Sequence, residues 1–485
     1  MQKGIATPIT LVVLMVVFVS LLAATSYMAL GALKGNASER AVFQAFLIAE
    51  SALDTLEAQA KQDRSILCRA LTNYSLAGHT ATFTKEVIQE SGTRRFRITA
   101  TATVGGATAR VQGVYPYHCP FPLGAPAALT SRPRIEVSGN AEINGQNVST
   151  LNLTRTQGAQ TLLNELTSYS LSVENPSQVP IGSYVRVGAH IFKVAGNQNT
   201  LTLLPTSPIS SSLSIASGTN VELILYPVLQ QSGISENSST IALPTTEGLV
   251  VNQTISVTIG NQTYTGQIAQ INADSNPKTI RISWQTSPPS NLPEGTPLSV
   301  TVLGAASNLT ISVQGKAQIT NGYEQNPSLV PSNPHDLFYM VFGMDKTTFR
   351  ALYPGISPSQ FNGNLSNWET IVVNQSITSN LELCGSGILV VFGELKVNGT
   401  CDSGFEGLVY VAGDYDQQGN AQIRGAVVVE GVADLQGCNG EDCWTNIAGT
   451  GQRQGKITFD PWVMYRLRSG EQASETFQRL RWRRL

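Results

Sequence analysis

Twenty-nine consecutive residues without a charged side chain, Ile5 to Leu33, constrain this 485-residue chain more than any other feature. As a helix that run spans about 43 Å at about 1.5 Å per residue. A bilayer core of about 30 Å needs only about 20 apolar residues, and the apolar region of a cleaved secretory signal is shorter, about 7–15 residues. The run also continues past Gly35 and Asn36 into ERAVFQAFLIAESALDTLEAQAK. There Ala45, Ile48, Ala49, Ala52, Leu53 and Leu56 recur at helical spacing with Glu50 and Asp54 opposite, the pattern of a helix with one packed face. The spacing predicts one helix from about residue 8 to about residue 62. Its first half, 5–33, is a membrane-spanning stretch and its second half packs on a domain.

Beyond the helix the chain reads as mostly β, an α+β class. Residues 80–114 alternate around the Gly105-Gly106 turn and predict a three-strand antiparallel meander. After Cys119, short apolar-polar-apolar phrases punctuated by Gly and Asn recur: VSGNAEINGQNV at 137–148, VQGKAQITNG at 313–322, FGELKVNG at 392–399 and QGNAQIRGAVVVEGVADLQG at 418–437. Such spacing is the signature of a β-solenoid, whose rungs bury a strand face only when stacked. DLFYMVFGM with KTTFRALYP reads as a short helix ended by Pro354. Between the solenoid parts, 165–304 looks like a tandem duplication: Gly188 matches Gly260, Thr206-Ser207-Pro208 matches Thr286-Ser287-Pro288, and Gly218-Thr219 matches Gly295-Thr296. Each copy is expected to close as a small barrel or sandwich, serving as a binding unit or as a spacer.

The opening resembles a type IV prepilin. Lys3-Gly4 stands directly before the apolar run, and the resemblance implies cleavage between Gly4 and Ile5 by a membrane prepilin peptidase, with methylation of the freed Ile5 amine. The basic leader agrees with the positive-inside rule; a plain single-pass anchor is the simpler alternative. Glu39 to Leu56, with Ala49-Glu50-Ser51-Ala52-Leu53, is similar to PilX-type minor pilins. Major pilins carry a glutamate at the fifth residue after the cut, and this chain has Ile9. An intramembrane carboxylate needs a partner, so its loss suits a subunit at or near the filament tip, or else is neutral. Taken whole, the chain resembles the competence-associated large minor pilins of thermophilic bacteria. That implies a leader 1–4, a pilin helix and sheet 5–124, solenoid 125–164, inserted modules 165–304, solenoid 305–460 and a basic segment 461–485. It also implies an inner-membrane location before assembly, an extracellular pilus afterwards, and major and minor pilins as partners.

Six cysteines in an exported chain read as disulfides. The expected pairs are Cys68–Cys119, Cys384–Cys401 and Cys438–Cys443; metal binding by the last pair lacks a second pair to complete a tetrahedral site. His79, His118, His190 and His335 stand apart, no nucleophile, P-loop or zinc motif occurs, and Asp414 and Asp416 lack the downstream acid of a calcium loop. The sequence therefore predicts no enzyme, no cofactor and no metal. Binding is the better expectation. The net charge of −2 gives no whole-protein field for nucleic acid, but the C-terminus concentrates Arg466, Arg468, Arg479, Arg481, Arg483 and Arg484 around Trp482. Arginine forks suit phosphates and aromatics stack on bases, so this segment is the expected nucleic-acid contact; the resemblance to competence-associated minor pilins implies double-stranded DNA, taken up in natural transformation, as the ligand. Arg94, Arg95 and Arg97 with Lys85, and Arg132 with Arg134, form smaller basic sets. The alternatives are a tip adhesin for surfaces or glycans, or a purely structural initiator of pilus assembly.

Overall fold

The computed structural model describes residues 6–62, 67, 71, 73–90, 93–116, 121–163, 167–207, 209, 212–235, 237–285, 291–437, 455–469 and 481–484. The chain divides into two units: Met1–Pro120 with Ala473–Leu485, and Phe121–Gln472. Most of the described residues lie in strands.

In the first unit, α1 (Ala6–Gln62) is a 57-residue helix. Ala45, Ile48, Ala49, Ala52, Leu53, Leu56 and Ala60 are buried against Phe96, Ile98, Ala100, Val111 and Tyr115. The small residues of that stripe let the helix lie close to the sheet, while Met15, Phe18, Val19, Leu21, Leu22 and Met28 are exposed. Among the described residues no helix is long and apolar enough to cross a membrane. The sheet has the order β1 (Tyr74–Leu76), β2 (His79–Glu90), β3 (Thr93–Val104), β4 (Ala107–Pro116) and β33 (Arg481–Arg484), all antiparallel. The meander thus gains a strand at each edge, one of them from the far end of the chain.

The second unit opens on β5 (Ala127–Ser131), β6 (Arg134–Ser138) and β7 (Glu142–Asn144). Next, β8 (Gln146–Val148) and β9 (Thr150–Arg155) leave for the modules, so the first solenoid segment is shorter than the expected 125–164. The first module contains β10 (Gln160–Leu162), β11 (Tyr169–Leu171), β12 (Tyr184–Val187), β13 (His190–Gly196), β14 (Leu201–Pro205), β15 (Leu213–Ile215) and β16 (Asn220–Ile224); its main sheet runs β11-β14-β13-β12-β16-β9, with β10 and β15 as a separate ribbon. The second contains β17 (Gln230–Ser235), β18 (Ser238–Leu243), β19 (Thr254–Ile259), β20 (Gln262–Asn272), β21 (Lys278–Trp284) and β22 (Ser299–Ser307). Pairing there runs β17-β18-β21-β20-β19-β22-β8.

The two modules repeat one topology. Gly188 and Gly260 carry φ of 61° and 58°, and Gly218 and Gly295 carry 78° and 83°, a left-handed turn geometry that favours glycine. A register shift follows Val194 in one module and Ile268 in the other. Each sheet has its own core, around Phe192 and Leu203 in the first and around Ile268 and Ile282 in the second. Among the described residues neither sheet closes on itself, so of the expected barrel or sandwich the closed barrel is not what forms.

The solenoid resumes with the end of β22, then β23 (Thr310–Val313), β24 (Gln318–Thr320) and β25 (Tyr323–Gln325), which stack in parallel on β5, β6 and β7 or on β22. The chain then crosses to the other end through α2 (Pro334–Phe342) and α3 (Lys346–Leu352). These are two helices, not one: Gly343 ends the first in the left-handed conformation and Asp345 caps the second by accepting the Thr348 amide at 2.9 Å. From there β26 (Asn364–Val373), β27 (Ile377–Val391), β28 (Leu395–Val411), β29 (Tyr415–Gly419), β30 (Gln422–Val429), β31 (Ala433–Gly437) and β32 (Lys456–Thr458) climb back until β30 pairs with β5, β31 with β6 and β32 with β7. The first-laid rung therefore rests on the last-laid one.

The runs ILVV, LVYV and AVVV at the ends of β27, β28 and β30 are buried throughout, as strands covered on both faces are. Their outer cover includes the aromatic side chains of α2 and α3: Phe338 and Phe342 meet Tyr410 at 5.1 and 5.2 Å, and Phe349 meets Phe342 at 4.7 Å. Lys346 brings its ammonium to both carboxylate oxygens of buried Glu430, at 2.6 and 2.7 Å, and the Tyr410 hydroxyl donates to Glu430 at 2.6 Å.

On another wall, Lys396, Asp416, Asp434 and Glu136 occupy one in-register column. Burial, helped by the neighbouring Asp416 and Glu136 charges, raises the Asp434 carboxyl above its ordinary value, against the opposing pull of Gln436 and Arg134. A carboxyl with a raised folded-state pKa costs stability above that pKa and returns it as pH falls toward the unfolded value of 3.8. Asp434→Asn should therefore raise the melting temperature at pH 7 and flatten its rise on mild acidification, a result read from thermal melts at stepped pH.

Candidate nucleic-acid interface

The structure separates the C-terminal arginines that the sequence grouped together. Residues 461–469 form α4 (Pro461–Ser469) in the second unit, while 481–484 form β33 in the first. On α4, Val463, Met464 and Leu467 are buried, and Trp462 and Tyr465 pack against the core of the first module. Arg466 lies over the Trp368 ring at 4.3 Å. Arg468 donates to the Tyr226 hydroxyl at 3.1 Å and the Leu123 carbonyl at 3.3 Å. Burial raises the Tyr226 pKa, and the adjacent guanidinium partly offsets this. These two arginines thus join parts of one unit. Arg479 lies outside the described residues, as do Gly4 and Ile5.

Other predicted sets divide in the same way. Lys85 points to the inner side of its sheet, donating to the Leu67 carbonyl at 2.8 Å above the Phe96 ring, and burial lowers its pKa. Arg132 donates to the carbonyls of Glu430 and Ser332, and Arg134 pairs with Glu136 at 3.1 Å. Arg97, by contrast, is a solvent-side residue of β3, paired with Glu86 at 2.7 Å.

The register of β33 brings two of the predicted sets onto one sheet. Arg481, Trp482, Arg483 and Arg484 stand opposite Val114, Gly113, Gln112 and Val111. Directly opposed antiparallel residues share a face. Val111 belongs to the core under α1, so by register Trp482 and Arg484 fall in the rows of the α1 face. Arg481 and Arg483 occupy positions on the outer side. Across β4, Arg97 stands in the row of Val114, and Thr99 in the row of Gln112. Arg110, exposed and one row further along, was missed by the sequence reading. Its signal was the alternation Thr108, Arg110, Gln112 in a strand whose intervening residues are buried. Thr82, Thr84, Thr103 and Thr108 are also exposed on this sheet.

Cys384 and Cys401 are bridged, with Cα atoms 5.3 Å apart, and tie consecutive rungs together. Glu382 lies beside them, but two sulfurs bonded to each other are no thiolate pair for a metal. Cys68, Cys119, Cys438 and Cys443 lie outside the described residues. Asp414 accepts the Val432 amide at 2.7 Å and Asp416 pairs with Lys396 at 3.3 Å, so both serve rung-to-rung bonding. No protein-family model matches the chain, and neither a curated protein nor a solved structure matches it.

Proposed function

We propose that this chain is a minor pilin held at or near the tip of a type IV pilus, where it captures extracellular double-stranded DNA for natural transformation. The observation that carries the reading is the uncharged run behind Lys3-Gly4, continuous with a helix whose 45–60 stripe is buried on a small antiparallel sheet. Such a helix suits subunits that first sit in the inner membrane and are then bundled by their apolar stalks, and the exposed Phe18, Leu21, Leu22 and Met28 fit that use. The five-stranded sheet of the first unit and the β-rich second unit are then both displayed outside the cell. In a gel-shift with duplex DNA, the full-length chain in detergent micelles should bind at about 50 mM salt and weaken by at least tenfold by about 200 mM, as phosphate contacts do. Absence of binding at the lower salt contradicts the DNA reading and leaves the adhesin as its replacement.

A further inference from the structure

We infer that the DNA-contacting surface is the outer face of the five-stranded sheet, completed by the C-terminal strand β33, and that it grips the phosphodiester backbone of duplex DNA. This rests on the DNA-capture reading above. The outer positions of β2, β3, β4 and β33 carry Arg95, Arg97, Arg110, Arg481 and Arg483 against Glu86 and Glu90. A protein of net charge −2 thus concentrates basic positions on one sheet face. The arginines fall into cross-strand rows: Arg97, Val114 and Arg481 in one, Thr99, Gln112 and Arg483 in the next, and Thr101 with Arg110 in the third. Neighbouring strands are about 4.8 Å apart and successive rows about 7 Å, so these positions form a two-dimensional array and not a single stripe.

The rest of the face is suited to phosphate. Threonine hydroxyls donate to phosphate oxygens, and such contacts position a duplex without reading its sequence. Large apolar side chains that would insert into a lipid surface are not the theme of these rows: Val114 is buried, and its neighbours are Arg, Thr and Gln. The Arg97–Glu86 pair is partly exposed, 36% and 57%; exposed pairs hold weakly, so Arg97 can exchange Glu86 for a phosphate. Pairing of β33 with β4 is part of the site, because two of the five basic positions lie on β33. Its register sets Trp482 opposite Gly113.

The test is a salt titration of duplex-DNA binding by the full-length chain and four variants. Arg110→Gln should weaken binding several-fold. The triple variant Arg110→Gln, Arg481→Gln, Arg483→Gln should lose at least tenfold and reduce the slope of log K against log salt by about 2–3. Glu86→Gln should tighten binding a few-fold, a gain that a misfolded sheet cannot produce. Arg281→Gln, an exposed cation of the second module, should change nothing. If the wild-type chain binds but the Arg110, triple and Glu86 variants all match it, the surface assignment is overturned and the DNA reading survives. If the wild-type chain does not bind, both fall. If vesicles of phosphatidylglycerol compete as well as DNA at equal phosphate, the surface is a membrane contact and the inference is wrong.

Discussion

Replacing Lys346 with alanine should lower the stability of the solenoid unit by about 3–5 kcal/mol, the cost of leaving a buried charge without its partner. Glu430 is 5% exposed, and its carboxylate is held by the Lys346 ammonium on both oxygens and by the Tyr410 hydroxyl. With the ammonium gone, one hydroxyl remains to stabilise a carboxylate packed among the aromatic rings of α2 and α3. The loss also removes one of the contacts that seat α3 on this wall, since Lys346 lies 5.9 Å from the centre of the Phe338 ring. Removing both charges together, as Lys346→Met with Glu430→Gln, should restore most of the stability. Chemical denaturation of the two variants beside the wild-type chain reads the difference; a single variant within about 1 kcal/mol of wild type would mean that the pair is solvated, not buried.

The second large effect concerns a column of glycines. Gly387, Gly407 and Gly425 stand in register on three consecutive rungs. A Cβ on Gly407 would press into the carbonyl oxygen of Gly387, and one on Gly425 into the carbonyl oxygen of Gly407. These are backbone atoms that cannot swing aside as a side chain can. Gly407→Ala must therefore spread two rungs whose parallel hydrogen bonds fix their spacing, at a cost of about 3 kcal/mol or more, at or above the top of the range for overpacked sites. Gly399→Ala offers a control, because the nearest atom there is the Asn420 side chain at an ordinary 3.6 Å. Melting temperatures of the two variants should differ by several degrees, with Gly407→Ala the lower.

Local pattern carried the parts of this fold that depend on near neighbours. The stripe from Ala45 to Leu56 was legible because helical spacing is a local signal, and those residues are the ones buried under the sheet. The tandem repeat was legible through Gly188 and Gly260, and through Gly218 and Gly295, because a left-handed backbone leaves few residue choices. Chain threading was not legible. Parallel stacking of β5 on β30 joins residues about 300 apart, and each strand alone carries only its own apolar run. The break between α2 and α3 was missed because Gly343 inside an apolar phrase also suits a continuous helix. The basic C-terminus misled because charge density says nothing of partners: Arg468 is bonded within the second unit, while β33 pairs with β4 in the first. Arg110 escaped notice because a lone arginine forms no cluster until strand pairing places it beside others.

We propose that the apolar opening is the stalk of a processed filament subunit. Intact-mass and N-terminal measurement of the protein from the cells that make it tests this most directly. A processed subunit begins at Ile5, lacks Met1 to Gly4 and carries a methyl group on the new amine. A chain that still carries Met1, or that begins downstream of the apolar run as a cleaved secretory protein does, would contradict it.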